Sequence, residues 1–219
     1  MERELLDRAA ELFAVRGFAS TSLQDIADAA KVGRTTLYHY FRSKDDFLTA
    51  LVEDVSVQPS RQLRAIREQS GIAPGEQLRL AVRTLLGWVL QRPFRFRVLV
   101  RDEMNLPAAI LRKHEAAKRA VLDEISAIVD AGIAAGAFRP MPASVVALSL
   151  IGMCNWTAWW FNPKAKMTAD EVGAMVSEMA VSAVQREPGL RGDNSPESAL
   201  RAIRSNLDHL ERIVTLRDG

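Results

Sequence analysis

Residues 21–44 decide the fold, and they read TSLQDIADAAKVGRTTLYHYFRSK. From Leu23 to Ala30 the apolar residues recur at helical spacing, and the run 31–33 interrupts this pattern before a second helix begins at Arg34. The start of the second helix carries arginine and threonine. Such residues at the N-terminal end of a helix suit the major groove of DNA, where they meet base edges. We therefore predict a helix-turn-helix unit that reads DNA.

Two pairs of residues with capping-box spacing flank the second helix. Thr21 with Gln24 and Ser43 with Asp46 stand at the separation at which a cap and the third helical residue exchange hydrogen bonds. Because helix N-termini bind phosphate well, each cap serves either structure alone or contact with a DNA backbone. The side chains that we expect to face inward from the second helix are Leu37, Tyr40 and Phe41.

Positive charge is concentrated in the second half of this stretch. Residues 1–30 contain three arginines and six acids, whereas residues 31–44 contain two lysines, two arginines and no acid. A local positive field is typical of a surface that meets phosphates. Four charges alone are equally compatible with an ordinary solvated face, so the charge pattern does not decide between the two interpretations.

The composition is that of an ordinary globular chain of 219 residues, with 48% hydrophobic and 26% charged residues. A single cysteine, Cys154, rules out an internal disulfide and is expected of a reducing compartment. The N-terminus is charged and amphipathic rather than signal-like, and no apolar run approaches the ~20 residues that cross a bilayer. We therefore predict a cytoplasmic protein without a membrane partner.

The sequence lacks the residue patterns of the common enzyme sites. None of the three histidines has a glutamate three positions before it, as a di-iron bundle needs. There is no HExxH run, no metal-binding cysteine spacing and no glycine-rich phosphate loop. We predict that the protein is not an enzyme and has neither cofactor nor metal site. A second alternative to the DNA-binding interpretation is a helical ligand-binding protein that has lost DNA binding. The intact basic segment 31–44 argues against it.

The remaining chain is predicted to be helical. Gly17 ends a first helix that starts at Glu4, and Pro59 is expected to kink or restart the helix that follows Lys44. Further helices are expected from Pro74 to Leu90, from Pro107 to Gly136, from Ala143 to Phe161 and from Thr168 to Val184.

Two later segments leave alternatives. In residues 94–105, FRFRVLVRDEMN, apolar residues alternate as in a strand, yet Phe96, Leu99 and Val100 also suit a helix, which the all-helical setting favours. Residues 187–196, EPGLRGDNSP, read as a linker before a last helix with a near-heptad seam. That seam needs a partner helix, either on its own subunit or across a dimer. Its apolar residues are Leu200, Ile203, Leu207, Leu210 and Val214.

Residues 13–51, FAVRGFASTSLQDIADAAKVGRTTLYHYFRSKDDFLTAL, resemble the DNA-binding domain of the TetR family of bacterial transcriptional regulators. The resemblance includes the GFxxTS turn, the DIA helix, the TLYHYF recognition helix and the SKxxF start of the next helix. Three positions depart from the family pattern. Lys31 and Thr35 stand where glycine is frequent, and Gly33 stands where a capping serine is common. We expect Lys31 to adopt a positive φ at some cost and Gly33 to remain an acceptable cap.

The resemblance implies an all-α fold with a helix-turn-helix DNA-binding domain in residues 1–45. A helical ligand-binding and dimerisation bundle would occupy residues 46–186, and a linker with a C-terminal helix would occupy 187–219. It further implies a ligand-responsive repressor that binds a palindromic operator in double-stranded DNA as a homodimer, with reading helices ~34–36 Å apart. The helices at 143–161 and 168–184 would form the four-helix dimer interface.

By the same resemblance, Arg34, Thr35 and Thr36 read base edges. Arg34 has the best mechanism, because an arginine holds guanine O6 and N7 with two hydrogen bonds. Backbone contacts would come from flanking residues, with Lys44 and Thr21 foremost. The whole candidate DNA-binding set is Thr21, Ser22, Lys31, Arg34, Thr35, Thr36, Tyr38, His39 and Lys44.

The segment 154–163, CNWTAWWFNP, holds three tryptophans within five residues. Trp156 and Trp160 stand four residues apart and are expected to share a helix face. An aromatic plug in the core and interface is the favoured interpretation. The NWT run also resembles a branch of TetR regulators in which some members respond to acyl-CoA thioesters, which suggests this class of small-molecule effector.

An effector pocket is implied among the central helices of the bundle. Arg97 and Arg101 suit an anionic head group such as a CoA phosphate, or they stay solvated or pair with neighbouring acids. His114 is either a ligand contact or, as favoured, a hydrogen-bonded core histidine. The candidate ligand-binding residues are Leu85, Trp88, Phe94, Phe96, Arg97, Leu99, Val100, Met104, Leu111, His114 and Asn155.

Overall fold

The structure is a computed structural model that describes residues 1–186 together with Leu200, Ile203, Arg204 and Leu207. Residues 1–186 form α-helices and no strand, which confirms the predicted all-α class. The helices are α1 (Glu2–Arg16), α2 (Leu23–Ala29), α3 (Arg34–Tyr40), α4 (Lys44–Val52), α5 (Gln58–Arg67), α6 (Pro74–Gln91), α7 (Pro93–Asp102), α8 (Ala108–Ala134), α9 (Ala143–Trp160) and α10 (Ala169–Val184). The predicted linker at 187–196 and most of the predicted last helix lie outside the described residues.

Helices α1–α3 form a compact unit, here called the head. Phe13, Ile26 and Leu37, one from each helix, are fully buried in a common core. Gly17 ends α1 with φ 86°, and its N–H donates to the Phe13 carbonyl at 2.9 Å. Between α2 and α3, Lys31 takes φ 55° and Gly33 caps α3, as the sequence predicts.

The capping box of α2 lies one residue later than predicted. The Ser22 hydroxyl accepts from the Asp25 N–H, and the Asp25 carboxylate accepts from the Ser22 N–H at 2.8 Å. Thr21 is only 1% exposed, and its hydroxyl donates to the Gly17 carbonyl at 2.9 Å. Thr21 therefore completes the end of α1, while Ser22 begins α2. The box predicted at Ser43 is formed, and Thr168 forms a further box with Glu171 at the start of α10.

One turn of π-helix (Glu53–Val57), here called the π segment, joins α4 to α5. Pro59, which has no N–H to donate, is the second residue of α5 and follows directly after this wider turn. The expectation that Pro59 kinks or restarts the helix is thus met by a local widening of the turn. Such π turns are uncommon and occur frequently at functional sites.

Helices α5–α10 form the second unit, here called the body. Residues 94–105 are helical, since α7 buries Arg95, Val98 and Leu99 at helical spacing before a 3-10 turn at Glu103–Asn105. The body core is shared by α5, α6, α8, α9 and α10. The head core continues into α4 and α7, so α7 packs on the head as well as on the body. No helix of the described part is long and apolar enough to span a membrane.

Candidate nucleic-acid interface and effector region

The outer face of α3 presents a cluster of polar side chains. Leu37 is fully buried and fixes the helix to the head. Phe41 is also buried and stacks on Phe47 with ring centres 3.9 Å apart. Tyr40, by contrast, is 39% exposed, so the expectation that it lies in the core is wrong. The predicted reading and backbone residues of α3 that are exposed are Arg34, Thr35, Thr36, Tyr38 and His39.

Arg34 is held along the surface of α3 by its neighbour one turn on. Its Nη2 donates to the Tyr38 hydroxyl at 3.2 Å, and its guanidinium carbon lies 5.4 Å from the centre of the Tyr38 ring. An arginine has five N–H donors, so this contact leaves donors for a base edge. The first turn of α3 contains no acid that would compete for them.

Lys44 ties the start of α4 to the turn between α1 and α2. Its ammonium donates to the carbonyls of Phe18 and Ala19 at 2.8 and 3.2 Å and lies 4.6 Å from the Phe18 ring centre. A shallow pocket of about 450 Å³ beside it is lined by residues 19–24, Arg34 and Lys44. The structure therefore brings Ser22, Arg34 and Lys44 together. Lys31 is exposed nearby in sequence, whereas Thr21 directs its hydroxyl into the head.

The candidate ligand-binding residues are distributed over several places. Leu85 belongs to the body core, whereas Leu99 and Leu111 pack in the core shared with the head. Three candidates on or beside α7 face solvent, and Met104 is 89% exposed. The other two are Phe94 and Val100. The predicted pocket lining is thus partly core and partly surface.

Helices α7 and α9 meet at one of the candidates, Phe96. The Phe96 ring meets Trp159 edge-on with centres 5.8 Å apart. Arg97 is half-buried, with its guanidinium carbon 4.6 Å from the Phe94 ring centre. Asn155 is half-buried on α9, one turn before Trp159. This grouping combines aromatic surface with one cation.

His114 is buried and occupied by protein partners. Its Nδ1 lies 2.8 Å from the Ser56 hydroxyl of the π segment, and its Nε2 lies 3.6 Å from a Glu103 carboxylate oxygen. Burial lowers the pKa of His114, and the nearby Glu103 charge opposes that shift in part. These contacts support the core interpretation over a role in ligand contact.

A cleft of about 840 Å³ lies between the head and the body. Its walls include α1, the end of α3, α4, the π segment and parts of α5 to α8. Trp88 lines it and donates from Nε1 to the Gln62 side chain at 2.8 Å. Trp88 is the one sequence candidate among its lining residues, so sequence patterns did not locate this cleft.

Arg95 and Arg101 of α7 both bind the head. Arg95 is 1% exposed and donates to Asp7 and Asp54 carboxylates, each at 2.7 Å. Arg101 donates to the carbonyls of Phe13 and Ala14 at the end of α1. Its guanidinium is therefore already occupied by the head and is not free for an anionic head group. Because residues 94–101 alternate as in a strand, the sequence did not indicate that Arg95 is buried. Its helical spacing from buried Val98 and Leu99 was the available signal.

Within the described part of the chain, helices α9 and α10 expose a large apolar face. Trp156 is 65% exposed and stacks on Trp159, with ring centres 5.9 Å apart. All three tryptophans are exposed, so they do not form a plug inside the subunit, and their place in an interface stays a prediction. The other large apolar residues exposed on these helices are Val145, Leu148, Trp160, Met175 and Met179.

Comparison with known proteins agrees with this architecture. A family model described as bacterial regulatory proteins, tetR family, matches residues 5–51, and a tetracyclin repressor-like C-terminal domain matches residues 71–184. The HTH-type transcriptional repressor KstR2 of Mycolicibacterium smegmatis is 25% identical over 193 residues, covering 85% of this chain and 91% of that protein.

Solved structures share the fold. The TetR family regulator PfmR of Thermus thermophilus has a TM-score of 0.71 at 25% identity, covering 83% of this chain and 99% of that one. AibR, solved with isovaleryl coenzyme A and operator DNA, has a TM-score of 0.66 at 24% identity, covering 84% and 97% of the two chains. The two family models together match most of the described chain, and the chain belongs to the TetR family of DNA-binding transcriptional regulators, which are not enzymes.

Proposed function

We propose that the protein is a repressor that binds a palindromic operator as a homodimer in the cytoplasm and is released by a small hydrophobic or acyl-CoA-type effector. The observation that carries the DNA-binding part is the acid-free, exposed face of α3, on which Arg34 is pre-positioned by Tyr38. Arg34, Thr35 and Thr36 would read bases. Ser22, Lys31, Tyr38, His39 and Lys44 would contact the backbone, while Thr21 supports the turn from within.

The dimer is supported by the apolar face that α9 and α10 expose in the described part of the chain. Contiguous apolar patches of this kind are rare on monomers and mark association sites. Ser149 and Gly152 lie exposed on α9 and permit close approach of a second helix. Packing α9 and α10 against the same helices of a second subunit gives a two-fold, self-complementary interface, as expected of homodimers.

The effector is supported by a grouping on α7 and α9, in which Phe96 meets Trp159 edge-on and Arg97, the next residue of α7, lies against Phe94. Aromatic surface suits an acyl chain, and a guanidinium suits a phosphate or carboxylate. AibR shares the fold and binds isovaleryl coenzyme A, so an acyl-CoA thioester is the effector class we propose first. Trp88 lines the cleft between head and body together with Arg95 of α7, so a movement of α7 on effector binding would also change the surroundings of Trp88.

Release from DNA would follow from a shift between two dimer geometries. A ligand shifts such an equilibrium only by its difference in affinity for the two states. Moving the population from 99:1 to 1:99 takes about 10⁴-fold tighter binding to the incompetent state. Because α7 contacts both the effector grouping and the head, a ligand there acts on the element that orients α3.

The experiment is a mobility-shift assay with the full chain on genomic fragments at several salt concentrations. Enrichment of one palindromic sequence, with affinity that falls as salt rises, is the expected result. Acyl-CoA thioesters of increasing chain length are then titrated against the labelled operator, and release by a subset of chain lengths is expected. Absence of sequence-specific binding at every salt concentration would reject the regulator assignment for this chain. Unchanged DNA affinity across all chain lengths would reject the acyl-CoA class alone.

A further inference from the structure

Arg95 is the largest side chain that the described residues bury completely, and no proposed DNA or effector contact uses it. Arginine is almost never fully buried unless its charge is paired. A buried guanidinium therefore indicates surroundings that are built to hold it in one place.

Two of the three contacts of Arg95 join α7 of the body to α1 of the head, and the third joins α7 to the π segment. Its Nε donates to Asp7 Oδ1 at 2.7 Å, and its Nη2 donates to the Arg3 carbonyl at 2.8 Å, both on α1. Its Nη1 donates to Asp54 Oδ2 at 2.7 Å, on the π segment that ends α4. Because the guanidinium is planar and its donors form a rigid fork, these contacts define one orientation of α1, the π segment and α7.

A second anchor lies at the other end of α1. Arg101 donates to the carbonyls of Phe13 and Ala14, in the last turn of that helix. Arg3 and Phe13 are ten residues apart, which corresponds to about 15 Å along a helix. Two anchors this far apart prevent α1 from rotating against α7, which a single anchor would not do.

The orientation of α1 also determines the orientation of α3, the helix proposed to read bases. Phe13 of α1 and Leu37 of α3 are both fully buried in the head core, so α3 moves with α1. In a dimer, the separation of the two reading helices determines which half-site spacing is accepted. The contact between α1 and α7 therefore connects the position of the body to the separation of the two α3 helices in a dimer.

We propose that Arg95 is a positioning residue for DNA recognition: together with Arg101, it locks α1 against α7 and so sets the half-site spacing that the dimer accepts. This inference rests on the proposed function of the protein as a dimeric operator-binding regulator. Loosening the lock leaves the base contacts of α3 intact and relaxes the spacing requirement.

The test variant is Asp7→Asn, which weakens the α1 side of the lock. Arg95 keeps its contacts with Asp54 and with the Arg3 carbonyl, so its charge remains paired. Glu11→Gln is the matched control, because it also removes one negative charge from α1. Its ion pair with Arg8 is exposed and stays within α1.

The first readout is DNA binding by the full chain. The palindrome that the wild type enriches from a random duplex library is remade with the spacer changed by one or two base pairs. The wild type and Glu11→Gln are expected to lose roughly tenfold or more in affinity on a two-base-pair change, and Asp7→Asn about threefold or less. Preferences among single-base variants of the half-site are expected to stay the same in all three proteins. Spacing discrimination in Asp7→Asn equal to that of Glu11→Gln would overturn the proposal.

The second readout needs no DNA. Spin labels are placed on cysteines that replace exposed Ser20 in the head and exposed Asp130 on α8, and labelled subunits are diluted with unlabelled protein. Burial raises the pKa of the native Cys154 thiol to about 12, so it stays unlabelled. A broader head-to-body distance distribution in Asp7→Asn, but not in Glu11→Gln, is expected, and an unchanged distribution overturns the lock. If the wild type enriches no DNA sequence, the proposed function fails, while this distance still decides whether the lock exists.

Discussion

At the scale of single residues, we expect DNA selectivity to be concentrated in the first turn of α3. Arg34 is exposed and held by Tyr38, so its remaining donors are ordered before DNA arrives. We expect Arg34→Ala to lose about 1–3 kcal/mol of binding to the preferred operator and to relax selectivity at one base pair of each half-site. Competition binding across single-base operator variants measures both effects.

The control for this substitution is Arg83→Ala, which removes the same charge from the exposed side of α6. It is expected to leave the pattern of base preference unchanged. Equal weakening by Arg34→Ala across every operator variant would contradict base reading and would assign Arg34 to the phosphate backbone instead.

Lys31 combines a backbone cost with a charge beside the reading helix. It adopts φ 55°, in the left-handed region that side chains other than glycine occupy at a cost of about 1–2 kcal/mol. Lys31→Gly removes that strain but adds about 0.4–1 kcal/mol of unfolded-chain entropy. The free energy of unfolding is therefore expected to rise slightly, by about 0.5 kcal/mol. Chemical denaturation measures the gain.

The same variant tests the proposed phosphate contact. If Lys31 neutralises one phosphate, the slope of log affinity against log salt is expected to become shallower by about one unit per site. An unchanged slope together with the stability gain would mean that Lys31 shapes its turn and contacts no phosphate.

His114 makes the stability of the protein depend on pH. Burial lowers the pKa of His114 in the folded state, so the unfolded chain binds the proton more readily. The associated stability is present above about pH 6.5, the ordinary pKa of histidine, and is lost as the pH falls. His114→Gln, which retains a side chain that reaches Ser56, is expected to flatten the decline between pH 7.5 and 5.5. Urea denaturation at the two pH values measures it, and a decline as steep as in the wild type would contradict this assignment.

Local residue roles could be predicted only where neighbours in sequence determine them. The positive φ of Lys31 follows from its place in a tight turn, and the box at Ser43 follows from three-residue spacing. Thr21 and Ser22 both offer a polar residue three positions on, and the need of the Gly17 carbonyl for a donor decides between them. Arg95 could not be assigned, because its partners lie about 40 and 90 residues away in sequence.

At the scale of elements, proline and glycine made the helix boundaries predictable. Pro74, Pro93 and Pro107 stand at or next to helix starts, and Gly136 with φ 70° follows the end of α8. The π segment was not predictable, since its form depends on polar partners from α5, α7 and α8. Most ligand candidates were chosen because they are apolar or aromatic. On α7, apolar side chains occupy both buried and exposed positions, so this criterion did not locate a pocket.

Near the end of α8, the backbone of Gly132 lies directly against an aromatic ring. A Cβ on Gly132 would lie 2.1 Å from the ring of Phe138, which is itself buried. We expect Gly132→Ala to lower the free energy of unfolding by about 1–3 kcal/mol, because the ring must move within a packed core. Gly87→Ala on α6 is the matched control, since nothing lies within 4 Å of its added Cβ. It is expected to stabilise by about 0.5–1 kcal/mol through helix propensity alone. Thermal unfolding compares the pair, and equal shifts in both would contradict the packing account.

At the scale of the whole molecule, we expect the apolar face of α9 and α10 to link assembly to DNA affinity. Leu148 is exposed in the single subunit, so a charge there costs the subunit fold little. Placed between two subunits, the same charge would be buried without a partner, which is strongly unfavourable. We therefore expect Leu148→Glu to sediment as a monomer at concentrations at which the wild type is a dimer.

Loss of the dimer has a calculable effect on operator binding. In a dimer, the second half-site is bound as an intramolecular event, which raises overall affinity by about 10²–10⁴-fold. Leu148→Glu is expected to lose roughly this factor on the full palindrome and almost nothing on an isolated half-site. Met104→Glu adds the same charge at a more exposed apolar residue outside this face, and it is expected to remain a dimer with wild-type affinity. A Leu148→Glu protein that stays dimeric and binds the palindrome as tightly as the wild type would place the dimer interface elsewhere.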